Sequence, residues 1–204
     1  VTSTQSMIVD AFQSETYIAN RMDVQHTPLY DQFTLTNGAP PLSTLSTLSS
    51  ALFTNVGPAS GKTQAQTNMT QSQKLPAPEA FSIFGFRLRW AENILLADLL
   101  TLLNGFAFEF YLGQKNYQRA PLWYFGAGGG ISGFQTLMAT SVYTNGWPAR
   151  EAMHKLAIPI VIENQMTFYA QLQGTTVNLT LLAAGGTGLN LMALLDGLYA
   201  RGVQ

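Results

Sequence analysis

Lys62 and Thr63 end the one stretch that invites a phosphate, Gly57-Pro-Ala-Ser-Gly-Lys62-Thr63. A phosphate-cradling loop has four residues between its first glycine and its Gly-Lys pair, so that backbone N–H groups wrap the anion. Here only Pro58, Ala59 and Ser60 intervene and no βαβ pattern comes after, so the stretch reads as a polar turn. Gly128-Gly-Gly-Ile-Ser-Gly133 matches the glycine spacing of a dinucleotide fingerprint. That fingerprint also needs a helix directly after it and a second parallel strand. Phe134-Gln-Thr-Leu-Met138 leads instead toward a turn at Asn145-Gly146-Trp147-Pro148. These glycines are read as allowing tight turns or close backbone approach.

The remaining reactive residue types are sparse. His26 and His154 are the only histidines, far apart and without a cysteine, and make no recognisable metal set. His154 stands beside Arg150, Glu151 and Lys155, the composition of a solvated loop. No G-x-S-x-G motif supplies an activated serine. Glu109 is the one acid inside a strongly alternating segment, and opposite Lys115 or Arg119 its role is structural. Asn68-Met-Thr70 and Asn178-Leu-Thr180 are glycosylation sequons by pattern only. The expectation is a chain with no catalytic, cofactor-binding or metal-binding residues.

The elements that would position any site are strands. In Gly105-Phe-Ala-Phe-Glu-Phe-Tyr-Leu-Gly113, Phe106, Phe108, Phe110 and Leu112 fall on one side and Ala107, Glu109 and Tyr111 on the other. Side chains alternate across a strand, whereas in a helix this spacing would scatter them around the cylinder. Phe81 to Trp90 alternates too, with Phe84, Phe86, Leu88 and Trp90 on one side and Arg87 and Arg89 on the other. From Ala91 to Asn104 the period changes: Ile94, Leu95, Asp98, Leu99, Leu102 and Leu103 recur at three and four, and Gly105 is a helix stop. Ala51–Gly57 reads as a short strand, and residues 58–80 as loop with an edge strand. Ala157–Ile162 and Met166–Leu172 read as a strand pair across Glu163-Asn164-Gln165, with Pro159 at an edge or bulge. Leu189–Arg201 fits helix and strand about equally, and Gly197 favours strand. Irregularly spaced strands, one short helix and many turns predict a mainly β protein, a two-sheet β-sandwich of jelly-roll type over residues 51–204.

Residues 1–50 differ in character. They are rich in Ser, Thr, Gln and Asn, with isolated anchors at Met7, Ile8, Phe12, Tyr17 and Ile18 and leucines at 42, 45 and 48 after Pro40-Pro41. They read as an extended N-terminal arm lying along a neighbouring subunit, with a disordered tail as the alternative.

Only 10% of the 204 residues are charged, against about 25% in an ordinary domain. With 47% hydrophobic residues, such a surface is expected to be covered by other subunits, because interface cores are depleted in charge and rich in aromatics. A net charge of −1 with scattered basic residues argues against direct nucleic-acid binding. The N-terminus lacks a signal-peptide pattern, and the uncharged run from Gly174 to Leu195 is too polar for a membrane span.

From Phe81 onward the chain resembles jelly-roll virion proteins of bacteriophages. The resemblance rests on Phe84-Gly-Phe-Arg-Leu-Arg-Trp90, the Asp98-Leu-Leu segment and Phe108-Glu-Phe-Tyr-Leu-Gly-Gln-Lys115. It continues through Pro121-Leu122, the Gly126–Gly130 loop, Ile158-Pro-Ile-Val-Ile162 with Phe168, and Leu195-Asp-Gly-Leu-Tyr-Ala-Arg201. It implies a non-enzymatic structural protein of the virion, a cement or decoration subunit on the capsid surface. Its partners would be the major capsid protein and further copies of itself, as a homotrimer, with no direct contact to nucleic acid or membrane. The alternatives are a major or penton capsid protein forming the shell, and a carbohydrate-binding β-sandwich using Trp123, Tyr124, Tyr143 and Trp147.

Overall fold

The computed structural model describes residues 22–35, 44–45, 52–57, 60–90, 94, 96–126, 132–136, 140–144, 155–174, 177–178 and 189–202. Their strands are β1 (Met22–His26), β2 (Leu29–Leu35), β3 (Thr44–Leu45), β4 (Ala80–Trp90), β5 (Phe106–Leu112), β6 (Lys115–Pro121), β7 (Ser132–Thr136) and β8 (Thr140–Thr144). Then come β9 (Lys155–Ile162), β10 (Phe168–Gly174), β11 (Val177–Asn178) and β12 (Leu189–Gly202). One helix, α1 (Leu96–Gly105), joins β4 to β5, and a 3-10 turn covers Leu122–Phe125. The protein is mainly β, as the alternating patterns predict.

Two antiparallel sheets face each other across an aromatic core. In the first, β1 and β2 both lie along β12, which pairs with β4, and β4 with β9. In the second the order is β10, β5, β6, and Leu52 bridges to Ala170 on the outer side of β10. Phe86 of the first sheet meets Phe108 and Phe110 of the second, with ring centroids 5.9 and 5.2 Å away. Phe125 closes on Phe108 at 5.1 Å, and Phe168 lies between Phe110 and Phe53. These rings prefer tilted and edge-to-face contacts because each carries a negative face and a positive rim. All six are buried.

The pairings are nested along the chain. Residues 22–35 pair with β12, β3 with β11, Leu52 with Ala170 of β10, β4 with β9, and β5 with β6. The chain is one long hairpin with its bend at Gly113-Gln114, rolled so that β12 also meets β4 and β10 also meets β5. Neighbours in sequence therefore fall in opposite sheets more often than side by side.

That winding corrects two expectations. β9 and β10 do not form a hairpin: β9 pairs with β4 and β10 with β5, and Glu163–Thr167 carries the chain across the gap between sheets. Gln165 takes a positive φ there and donates its N–H to the Leu75 carbonyl, which anchors the crossing to residues before β4. The boundary at residue 50 is also displaced. β1 and β2, within the stretch read as an arm, are integral to the first sheet, with Leu29 and Phe33 in the core. Thr27-Pro28 interrupts them opposite Asp196-Gly197 without changing the register against β12, and Pro28 lies on the outer strand of the sheet, where a proline is tolerated. Residues 1–21 lie outside the described residues.

β4 and β12 hold together through a paired irregularity. Phe84 is the extra residue opposite the Asp196/Gly197 step. A bulge switches the parity of a strand. Phe81 and Ile83 face the core before it, and Phe86, Leu88 and Trp90 face the core after it. A Cβ on Gly197 would collide with the Ser82 carbonyl oxygen and lie 2.6 Å from the Phe81 ring. The glycine that favoured strand over helix is thus required where β12 runs closest to β4. Pro159 lies on β9, an edge strand, within the stretch where the β4–β9 register slips, as expected. The edge strand anticipated within residues 58–80 is not present among the described residues there, which form turns up to the start of β4.

Candidate functional site

Among the described residues, Lys62 pairs with Asp31, Arg87 with Asp196, Arg119 with Glu109 and Arg201 with Asp23. Lys62, from the phosphate-loop-like stretch, points inward and donates to Asp31 Oδ1 at 2.8 Å. Asp31 is fully buried on β2, and its Oδ2 accepts the Phe53 N–H at 2.8 Å. Burial pushes the Asp31 carboxyl above its ordinary 3.8, against the pull of Lys62, the Phe53 amide and Thr67. Gly57 and Gly61 both take positive φ, which lets the turn bring Lys62 back onto β2. The lysine is the counter-ion of a core carboxylate, and the turn reading of this stretch stands on that geometry.

Asn68, the first sequon residue, is engaged by its amide. It accepts the Tyr30 N–H at 2.9 Å and donates to the Pro28 carbonyl at 2.8 Å. The segment from Leu52 to Leu75 is thus stitched to β2 by Asp31, Lys62 and Asn68, and to β10 by the Phe168 N–H donating to the Gln73 carbonyl.

Glu109 stands in the middle of the second sheet, on its outward side, with Gln171 and Arg119 opposite it on the flanking strands. Arg119 Nε donates to Oε1 at 2.6 Å, while Gln171 Nε2 and the Tyr111 hydroxyl donate to Oε2 at 2.7 and 2.8 Å. Burial acts to raise this carboxyl, but the hydrogen bonds of Gln171 and Tyr111 and the charge of Arg119 outweigh it and hold it below 4.5. Arg119 is one of the two cations anticipated opposite it. A carboxylate saturated by three donors and kept ionised is poorly suited to proton transfer, which needs a value near the working pH. Arg87 holds Asp196 by two bonds, Nε to Oδ2 at 2.6 Å and Nη2 to Oδ1 at 2.5 Å, beside the β4–β12 bulge. Tyr199 donates its hydroxyl to Glu79, and burial pushes that phenol upward.

No group of three or more metal-ligating side chains occurs among the described residues. His26 is exposed on β1, its ring 5.6 Å from Phe84. His154 and Gly128–Ile131 lie outside the described residues. The antiparallel hairpin β7–β8 comes after the glycine run, in place of the helix of a dinucleotide site.

The feature left for recognition is apolar surface. Trp123 is 62% exposed and Tyr124 41% exposed on the 3-10 turn, and Leu100 is 50% exposed on α1, which packs against that turn. The Trp123 and Tyr124 rings stand at 87°, so they do not form the flat coplanar shelf on which a sugar face stacks. Trp147 and the side chain of Tyr143 lie outside the described residues. Sequence reasoning named Trp123 and Tyr124 but did not single out Leu100, which falls off the apolar stripe of the helix. No family model, no curated protein and no solved structure matches this chain.

Proposed function

We propose that this protein is a structural subunit of a bacteriophage virion, a capsid cement or decoration protein built on a jelly roll. The observation that carries the reading is the winding. Counting residues 22–35 as the first strand and the Leu52 bridge as the second, the two sheets run 1-8-3-6 and 2-7-4-5. This winding supports a jelly-roll reading, an arrangement that recurs in viral capsid and lectin domains. The sequence resemblance over residues 81–201 points to the same class. The charge deficit supports it further: a scaffold needs shape and contact surface, and the ionised pairs of Asp31, Glu109 and Asp196 serve packing.

The partners are the major capsid protein and other copies of this chain. The test is to express the chain in phage-infected cells, band the particles on a density gradient and quantify its peptides by mass spectrometry. Co-banding with intact particles is the expected result. A chain that is monomeric by light scattering and absent from the particle band overturns the proposal. Copy number in the band separates a decoration subunit from a shell-forming one.

A further inference from the structure

The two main sheets present edges of different kinds. β6 carries Lys115, Arg119 and Pro121 with a bulge at Tyr117, and β9 carries Lys155 and Pro159 where its register slips. Charges, prolines and bulges are how a sheet edge resists a further strand. The outer side of β10 is occupied by Leu52 and Gln73, whose backbones bond to Ala170 and Phe168. Along β2 the outward backbone groups are taken as well. Asn68 serves both the N–H and the carbonyl of Tyr30, the Gln32 N–H donates to the Gln66 carbonyl, and the Pro28 carbonyl accepts from the Asn68 amide.

β1 continues β2 in the same register along β12, so its backbone alternation can be read from those bonds. Tyr30 and Gln32 turn their backbone groups away from β12, and steps of two carry this back to His26, Val24 and Met22. Among the described residues nothing bonds to the backbones of these three on that side. β1 has no proline, lysine, arginine or bulge, and its one acid, Asp23, is paired with Arg201 of β12 at 3.2 Å. The middle residue, Val24, is 45% exposed. β1 is the one unguarded edge of the two main sheets among the described residues.

We infer that β1 pairs antiparallel with β1 of a second copy across a two-fold axis at Val24, so that the first sheet runs from one copy into the next. This deepens the reading of the chain as a self-associating subunit and rests on that part of it. The edge selects a strand as its occupant, because a row of unpaired backbone donors and acceptors is met by another extended backbone. The register selects a second copy. With the axis at Val24, Met22 faces His26 of the partner subunit, and all three outward residues exchange N–H···O=C bonds; an axis at Asp23 or Gln25 would use only two of them within β1. Asp23 then stands opposite Gln25 of the partner subunit, an amide that can donate to it, whereas an axis at Asp23 would set two carboxylates against each other. Pairing stops at His26 because Asn68 and Gln66 cap the edge beyond it. Five residues a side make a small contact beside the ~800 Å² per partner of a standard interface, so it is weak in solution and tightens where copies are held side by side.

The chain has no cysteine, so a single introduced thiol reports its position without background. The test treats Val24→Cys and His26→Cys, each in the full chain at high concentration, with a cross-linker that has one methylene between its thiol-reactive groups. In the pairing, two copies of residue 24 face each other, while two copies of residue 26 lie four residues out of register, about 14 Å apart. The expected result is a cross-linked dimer from Val24→Cys and none from His26→Cys, with thermal midpoints unchanged. Wild type supplies a second measurement that needs no thiol. Amide protection at residues 22–26 should rise with chain concentration. That rise should be lost in Val24→Lys, which sets two ammonium groups on the axis, and kept in Ile158→Lys, whose site is 76% exposed on β9. Equal cross-linking at the two positions, or protection that does not change with concentration, overturns the inference; protection that is high at every dilution assigns the edge to a segment of the same chain. Either failure leaves the virion reading to be decided by co-banding with particles. A β1-paired dimer of a chain absent from particles supports the inference and sinks the virion reading.

Discussion

Asp31 and Glu109 are both carboxylates without solvent access, yet they titrate in opposite directions. Asp31 is raised by burial in the core, so the folded protein holds that proton more tightly than the unfolded chain. Its ionised form penalises the fold at neutral pH, and the penalty is lifted as pH falls through the folded value toward 3.8. Glu109 is lowered, so its contribution is present above 4.5 and is lost as pH falls through the folded value. The two slopes oppose each other in wild type. Urea midpoints measured from neutral pH down through the carboxylate range should fall more steeply in Asp31→Asn than in wild type, and less steeply in Glu109→Gln. At neutral pH, Lys62→Met should cost about 3 kcal/mol by leaving the Asp31 carboxylate buried without its cation, read as a lower urea midpoint. Ser82 gives the reverse case. Its side chain is fully buried and its hydroxyl has no hydrogen-bond partner. Ser82→Ala should therefore stabilise the protein by about 1 kcal/mol in the same assay. At this scale the sequence was half legible. Glu109 facing Arg119 follows from strand parity, whereas Lys62 reaching Asp31 depends on a fold-back that no local pattern announces.

Strands with one apolar face were readable because alternation is a local property. β5 lies where its phenylalanines place it, and β12 resolved in favour of strand at Gly197. The β4–β12 bulge was not readable, since alternation in Phe81–Trp90 looks continuous until the partner strand reveals the slip. Gly197→Ala tests how much rests on that junction. The added methyl has no free space against Ser82 and Phe81, so the loss should be about 3 kcal/mol, measured by chemical denaturation. The misread hairpin between β9 and β10 has a physical lesson. A short polar connection fits a sheet-to-sheet crossing as well as a tight turn, and only the partners of each strand distinguish the two. β1 and β2 were missed because Asp23, Asp31 and Thr34 dilute their apolar spacing, and their partner lies at the far end of the chain.

For the whole molecule, composition spoke earlier than any motif. The proposed contact role rests on a charge-poor composition, on buried carboxylates that are each paired internally (Asp31, Glu109 and Asp196), and on the winding of the sheets. Protection should reflect the same plan. Amide hydrogen exchange should be slowest in β12, β4 and β5, which are paired on both sides, and faster in β6 and β9 at the sheet edges. Uniform protection across both groups would contradict this strand order. The nesting of the pairings also sets an order of events. Residues 22–35 find their partner only in the 14-residue strand β12, so a chain still being synthesised holds Leu29 and Phe33 without their cover until β12 has emerged. Closure of the first sheet waits on that strand. A premature stop that removed β12 would open the flank of β4 and strand β1 and β2, leaving a sticky fragment for the cell's quality control instead of a smaller working subunit.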